Sequence, residues 1–120
     1  MDESILETVK KLLGVPEECE DFDADILAYI NMALFALVQM GVGPKSGYSI
    51  TGKENLWSEF LSDPVQAAAV KAYVAVKVRL LGFDPPQSNT AMEALKNTAA
   101  EMEWRLNLEH DRPEVDADGL

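Results

Sequence analysis

Two helix-length stretches, Ile26 to Met40 and Val65 to Leu81, are apolar almost all the way round instead of along one stripe. A helix on the outside of a small soluble monomer carries its apolar residues on one face, so helices of this kind must be covered on several sides by other helices or by neighbouring subunits. The chain is therefore expected to assemble. Its 120 residues suffice for one domain with a single core. Neither stretch reaches the roughly 20 residues that a membrane span requires, and Asn31 and Gln39 interrupt the first of them. Asp2 and Glu3 stand where a signal peptide would carry Lys or Arg. Synthesis in the cytosol and no membrane span are the expectations.

The remaining elements follow from caps and breakers. Ser4 with Glu7 three residues later forms a capping box that opens a short helix with Ile5, Leu6, Val9, Leu12 and Leu13 on one face. Gly14 and Pro16 end it. The acidic connection that follows supplies Asp21 or Asp23 as the N-cap of the long apolar helix, which stops at Gly41. Four of the seven glycines and Pro44 lie between Gly41 and Lys53, around Tyr48 and Ile50, which alternate with polar neighbours like a very short strand or hairpin arm. This segment reads as a structured loop. Leu56, Trp57, Phe60 and Leu61 make a short amphipathic helix that lids the core. Asp63 and Pro64 start the next helix as N-cap and first helical residue. That helix carries Val65, Ala68, Ala69, Ala72, Tyr73, Val76, Leu80 and Leu81 and ends at Gly82. After the rigid turn of Asp84, Pro85 and Pro86, Thr90 and Glu93 offer a second capping box. The last helix shows Met92, Leu95, Ala99, Met102 and Leu106 in alternating steps of three and four, a coiled-coil-like seam. The predicted fold is all-α, with four main helices, one short helix and a Gly-rich loop between the second and third main helices. Residues 1–108 form this domain, and 109–120 read as a flexible acidic tail.

A net charge of −11 argues against a nucleic-acid binder, because such affinity comes mainly from Lys and Arg neutralising phosphates. The carboxylates crowd two places, the connection from Glu17 to Asp25 and the C-terminus from Glu109 to Asp118. Cys19 is the only cysteine, so no intramolecular disulfide forms. Among carboxylates its thiolate is disfavoured, which makes it a poor nucleophile. His110 is the only histidine and has no partner in sequence for a metal site. Gly41 to Ser46 superficially resembles a phosphate-binding loop, but Pro44 precedes Lys45 and a helix leads in where a strand is needed. Glu101 and Glu103 lie two apart and point to different sides of a helix, while Glu101 is placed to pair with Arg105. No catalytic constellation, cofactor site or metal site is expected, and the chain does not read as an enzyme. Lys71, Lys77 and Arg79 are polar breaks in the apolar helix that either join an interface with acidic neighbours or lie at its solvent-facing edge. Trp104 lies off the seam, as a core residue for a neighbouring helix or as an interface anchor.

The strings LETVKKLLG, MGVGP, GYSI, LWSEFL, VKAYVAVKVRLLGFDPP and MEALKNTAAEMEWRLN, in that order, resemble the head-tail connector proteins of long-tailed bacteriophages and Gram-positive prophages. The resemblance runs from Ile5 to about Leu108. It implies a structural virion protein that adds to the portal after DNA packaging and forms a ring, a dodecamer in the virion, coaxial with it. The ring would extend the DNA channel, let duplex DNA pass without specific binding, and dock the next adaptor or the tail. On this reading the ring contact is assigned to Tyr29, Met32, Phe35, Lys71, Lys77 and Arg79, and the portal or tail contact to Tyr48, Ile50, Trp104, Arg105 and Leu108. The alternative is a small acidic phage-encoded inhibitor that mimics DNA. Such a mimic needs carboxylates spread over a folded face, and here they cluster.

Overall fold

The computed structural model describes residues 3–110, with side chains to residue 107. Its helices are α1 (Ile5–Leu13), α2 (Asp23–Gln39), α3 (Trp57–Phe60), α4 (Pro64–Leu81) and α5 (Asn89–His110), so the all-α reading with four main helices and one short one holds. No named strand occurs among the described residues, and the single isolated bridge joins Ser4 to Leu56. The strand or hairpin arm expected at Tyr48 and Ile50 is thus an ordered loop instead.

Local chemistry sets most boundaries. Ser4 Oγ accepts from the Glu7 N–H at 3.2 Å and starts α1, and Gly14 closes it in the left-handed conformation at φ 84°. Asp63 accepts from the Val65 N–H at 3.0 Å, with Pro64 as the first residue of α4. Two expected caps move. Asp23 is the first helical residue of α2 and caps nothing, because its carboxylate pairs with the Lys10 ammonium at 2.8 Å. Helix α5 is capped by Ser88, whose Oγ accepts from the Ala91 N–H at 3.0 Å, and not by Thr90. The chain leaving Pro86 already turns at Ser88, which leaves Thr90 exposed inside the first turn.

The centre of the fold is an antiparallel pair, α2 against α4. Their sense is fixed at one end, where the rings of Phe22, just before α2, and Phe83, just after α4, meet edge to face at 5.6 Å. The Tyr29 hydroxyl lies there too, so close to Gly82 that a Cβ at that glycine would sit 2.7 Å from it. Ala67, Val70, Val74 and Val78 form the buried stripe of α4, and Ile26, Ile30, Ala33, Leu34 and Leu37 that of α2. Helix α1 lies against both through Ile5, Leu6 and Val9, while α5 packs principally on α4.

The loop after α2 is tied down by side chains. Asn31 donates its amide to the Ile50 carbonyl at 3.0 Å and accepts the Ile50 N–H at 2.7 Å, a two-pronged clamp that stands in for a partner strand. Gly43 has φ 96° and lets the Phe60 ring approach so closely that a Cβ there would be 2.5 Å from it. Tyr48 leans on the same ring, with centroids 5.8 Å apart. Trp57 and Phe60 are buried beneath this loop, as a lid on the core should be.

Candidate functional site

The polar centres of the molecule are used to hold it together. Lys10, a side chain only 3 % exposed, donates to the carbonyls of Glu17 and Cys19 at 3.1 and 2.6 Å besides pairing with Asp23, and so pins the acidic connection onto α1. Sequence reasoning missed it, although Lys10 follows Leu6 by four residues and so shares its inward face. Tyr73, fully buried, donates its hydroxyl to Glu103 at 2.7 Å, and Lys77 approaches the same oxygen at 3.4 Å, which locks α5 to α4. Burial, and then the Glu103 carboxylate, push the Tyr73 phenol well above its ordinary value. Tyr48 donates to Glu59 at 2.6 Å, and burial followed by that carboxylate pushes its phenol up to about 12.

No group of three or more His, Cys, Asp or Glu among the described residues is arranged to hold a metal ion, and no helix is long and apolar enough to cross a membrane. Cys19 is half-buried. The side chain of His110, the side chain of Leu108 and the acidic segment beyond residue 110 lie outside the described residues. Glu7, Glu17, Glu18, Glu20 and Asp23 gather around one cavity of about 500 Å³ above Lys10, a knot of carboxylates at one end of the domain and not a phosphate-like array.

What the chain offers to others is surface. On α2, Met32 is 53 % exposed and Phe35 63 %, with Ala28 beside them, all on the side away from the core. Tyr29 is half-buried and partly used against Gly82. On α4 the sequence list mixed two faces. Tyr73 goes inward, but Val65 is 81 % exposed and Ala68, Ala69 and Ala72 are exposed with it. Alanine and valine on every side gave no periodicity to separate them. Two grooves flank this outer face. One of about 930 Å³ runs along α1 and includes Leu12, Ala68, Lys71 and Ala72; the other, about 690 Å³, is lined by Val65, Ala69, Met102 and Leu106 among others. Sequence reasoning missed the exposure of Leu12, Phe22 and Val65.

The three basic residues assigned to the ring contact are each engaged within the chain. Lys71 pairs with Glu3 at 3.1 Å and lies 5.9 Å from the centre of the Trp57 ring, Lys77 pairs with Glu103, and Arg79 donates Nε to the Asp84 carbonyl at 3.1 Å. Among the residues assigned to portal or tail, Trp104 is 63 % exposed, and Arg105 forms the expected pair with Glu101 at 2.8 Å. Ile50 needs correction. It is 2 % exposed, held inward by the Asn31 clamp, and has no surface to give a partner.

Comparison with curated proteins and with solved structures finds no match. A protein-family model described as phage connector protein matches residues 5–113. The match takes in all five helices, the exposed faces of α2 and α4 and the Trp104 end of α5, and the chain belongs to the phage connector protein family.

Proposed function

We propose that this head-tail connector protein binds the portal after DNA packaging, closes into a ring that extends the DNA channel, and presents the docking surface for the next adaptor or the tail. The observation that supports the ring is the pair of apolar faces left outward on α2 and α4, two helices that pack on each other and therefore face opposite sides of the domain. A patch on one side that meets a different patch on the far side of the next copy gives a heterologous contact, which closes into a ring when the rotation allows. Met32 and Phe35 are the proposed centre of that contact. Trp104, Arg105 and Leu108 on α5, with Tyr48 on the loop, are the proposed contacts to portal or tail.

The channel role fits the charge. With a net charge of −11, and with Lys71, Lys77 and Arg79 each holding a partner of the same chain, phosphates meet mainly repulsion from the described residues, so DNA slides without sticking. Native mass spectrometry across a concentration series, with and without the portal protein, tests assembly; oligomers are expected at high concentration or on the portal. A strict monomer in both conditions removes the ring. In gel-shift titration at physiological salt no duplex binding is expected, and sub-micromolar, salt-sensitive binding would contradict the channel reading.

A further inference from the structure

The outward face of α2 is a single stripe, Asp25, Ala28, Met32, Phe35 and Gln39, in steps of three, four, three and four, and every member is exposed. The outward stripe of α4, read from its C-terminal end, is Arg79 and Val76, both half-buried, then Ala72, Ala69 and Val65, all exposed, in the same steps. Laid antiparallel, the two stripes register residue for residue over about 21 Å of helix. Phe35 then faces Ala69 and Met32 faces Ala72, so each protruding side chain meets an alanine. Asp25 falls opposite Arg79, a carboxylate against a guanidinium, and Gln39 falls opposite Val65. The size match allows close helix approach, and the charge match at one end selects the antiparallel sense over the parallel one, which would bring Asp25 beside Val65.

We infer that the outer face of α2 in one copy packs antiparallel on the outer face of α4 in the next, in the register that sets Phe35 on Ala69 and Asp25 on Arg79. This rests on the ring reading above and supplies its geometry. Within one chain α2 and α4 are already antiparallel, as the Phe22 to Phe83 contact shows. An antiparallel contact between copies therefore keeps successive subunits in nearly the same orientation, with α2 and α4 alternating around the assembly. That is what a cyclic ring needs and what a two-fold dimer forbids. The Val65, Ala69, Met102 and Leu106 groove lies along one flank of the contact, where the neighbour's Phe35 ring has room to settle.

The test is disulfide trapping in the full chain carrying Cys19→Ser. Phe35→Cys combined with Ala69→Cys cannot close within one domain, because the two positions lie on opposite sides. Mild oxidation should produce a reducible ladder of multimers that runs past the dimer. Mixing the two single-cysteine chains should stop at dimer. Phe35→Cys with Arg79→Cys, about 15 Å out of register, should give no ladder. Met32→Cys with Ala72→Cys is the second in-register pair and guards against a folding defect in the first. Independently, Asp25→Arg or Arg79→Asp alone should raise the concentration needed for assembly about fivefold, with the double reversal restoring it. Oligomers in native mass spectrometry without a ladder from either pair would overturn this interface while leaving the ring in place. Dimers from Phe35→Cys alone would overturn it in favour of an α2-to-α2 contact. A strict monomer with and without portal would remove ring and interface together.

Discussion

The three helices α1, α2 and α4 and the helix α5 are held by different means. The first three share one core, in which Ile5, Val9, Ile26, Ile30, Leu34, Leu37, Val70, Val74 and Val78 are closed to solvent and the 41–56 loop is clamped over them by Asn31, Trp57 and Phe60. The α5 helix, 22 residues long, docks principally on α4, burying Ala99 and Leu106 and half-burying Met92, Leu95 and Met102. Its polar anchor is Glu103, shared by Tyr73 and Lys77. The body is stabilised from several directions at once, whereas α5 depends on one seam. Regions with few neighbours open first, and they are the ones that move in assembly.

The largest effect expected from this contrast separates three aromatic residues. Replacing Trp57 or Phe60 by Ala should cost about 3–5 kcal/mol, the usual range for a buried aromatic, because each leaves a hole beneath the loop. Trp104→Ala on α5 should leave folding within about 0.5 kcal/mol of the parent, as for an exposed site, while weakening portal or tail binding. Urea denaturation alongside binding assays reads both. Parent-like unfolding of the Trp57 and Phe60 variants combined with failed assembly would assign those two side chains to an interface and erase the distinction.

A smaller effect probes the joint itself. Tyr73→Phe keeps the buried ring and removes the hydroxyl that Glu103 accepts, at about 1 kcal/mol for one hydrogen bond to a partly exposed partner. Amide exchange should quicken along α5 and stay unchanged in α1 and α2. Equal acceleration in all four main helices would show that α5 opens only with the whole fold.

The same contrast explains what could be read from the sequence. The apolar seam of α5 was legible, because a helix resting on one neighbour needs one stripe and shows it: Met92, Leu95, Ala99, Met102 and Leu106 go inward, and only the anchor Glu103, which looks like a surface carboxylate, was missed. The α4 helix was not, since a helix flanked by α1, α2 and α5 is apolar on three sides and its outward Val65, Ala69 and Ala72 look like core. The Asp63 and Pro64 start was legible because both residues act locally. The α2 start was not, because the side chain that decides it, Lys10, lies on another helix and takes Asp23 away from capping. Ile50 was misplaced for a similar reason, its inward turn being set by Asn31, 19 residues earlier. The Asp63 cap survived because it is local, the α2 start and Ile50 failed because a distant polar side chain decides them, and Thr90 failed locally because Ser88, two residues earlier, already caps the turn.

The smallest expected effect lies at the edge of the body, where α1 borders its groove, and it carries two opposite signs. Glu3 is held below the ordinary carboxylate value of 4.5, first by its hydrogen bond from Lys71 and then by that ammonium's charge. Glu7 is raised above it, first by sharing a hydrogen bond with Glu17, then by partial burial and the Glu17 charge. A lowered folded-state value means that the Glu3 contribution is present above the unfolded value and is lost as pH falls through the folded one. The raised Glu7 behaves in the opposite way: the folded state holds its proton more tightly, so this contribution is complete below the unfolded value and is lost as pH rises through the folded one. At pH 7 both carboxylates are ionised, Glu3 in an attractive pair and Glu7 in a repulsive one. Glu3→Gln should therefore lower the melting temperature slightly at pH 7 and Glu7→Gln should raise it slightly; on acidification the Glu7 difference should fade once pH falls below the ordinary carboxylate value of 4.5, and the Glu3 difference only at lower pH, below its depressed folded-state value. Melting curves of the two variants and the parent from pH 3.5 to 7 decide it. Shifts of the same sign for both at pH 7 would mean that Glu7 finds a cation in solution and that the crowding of carboxylates beside α1 is relieved there.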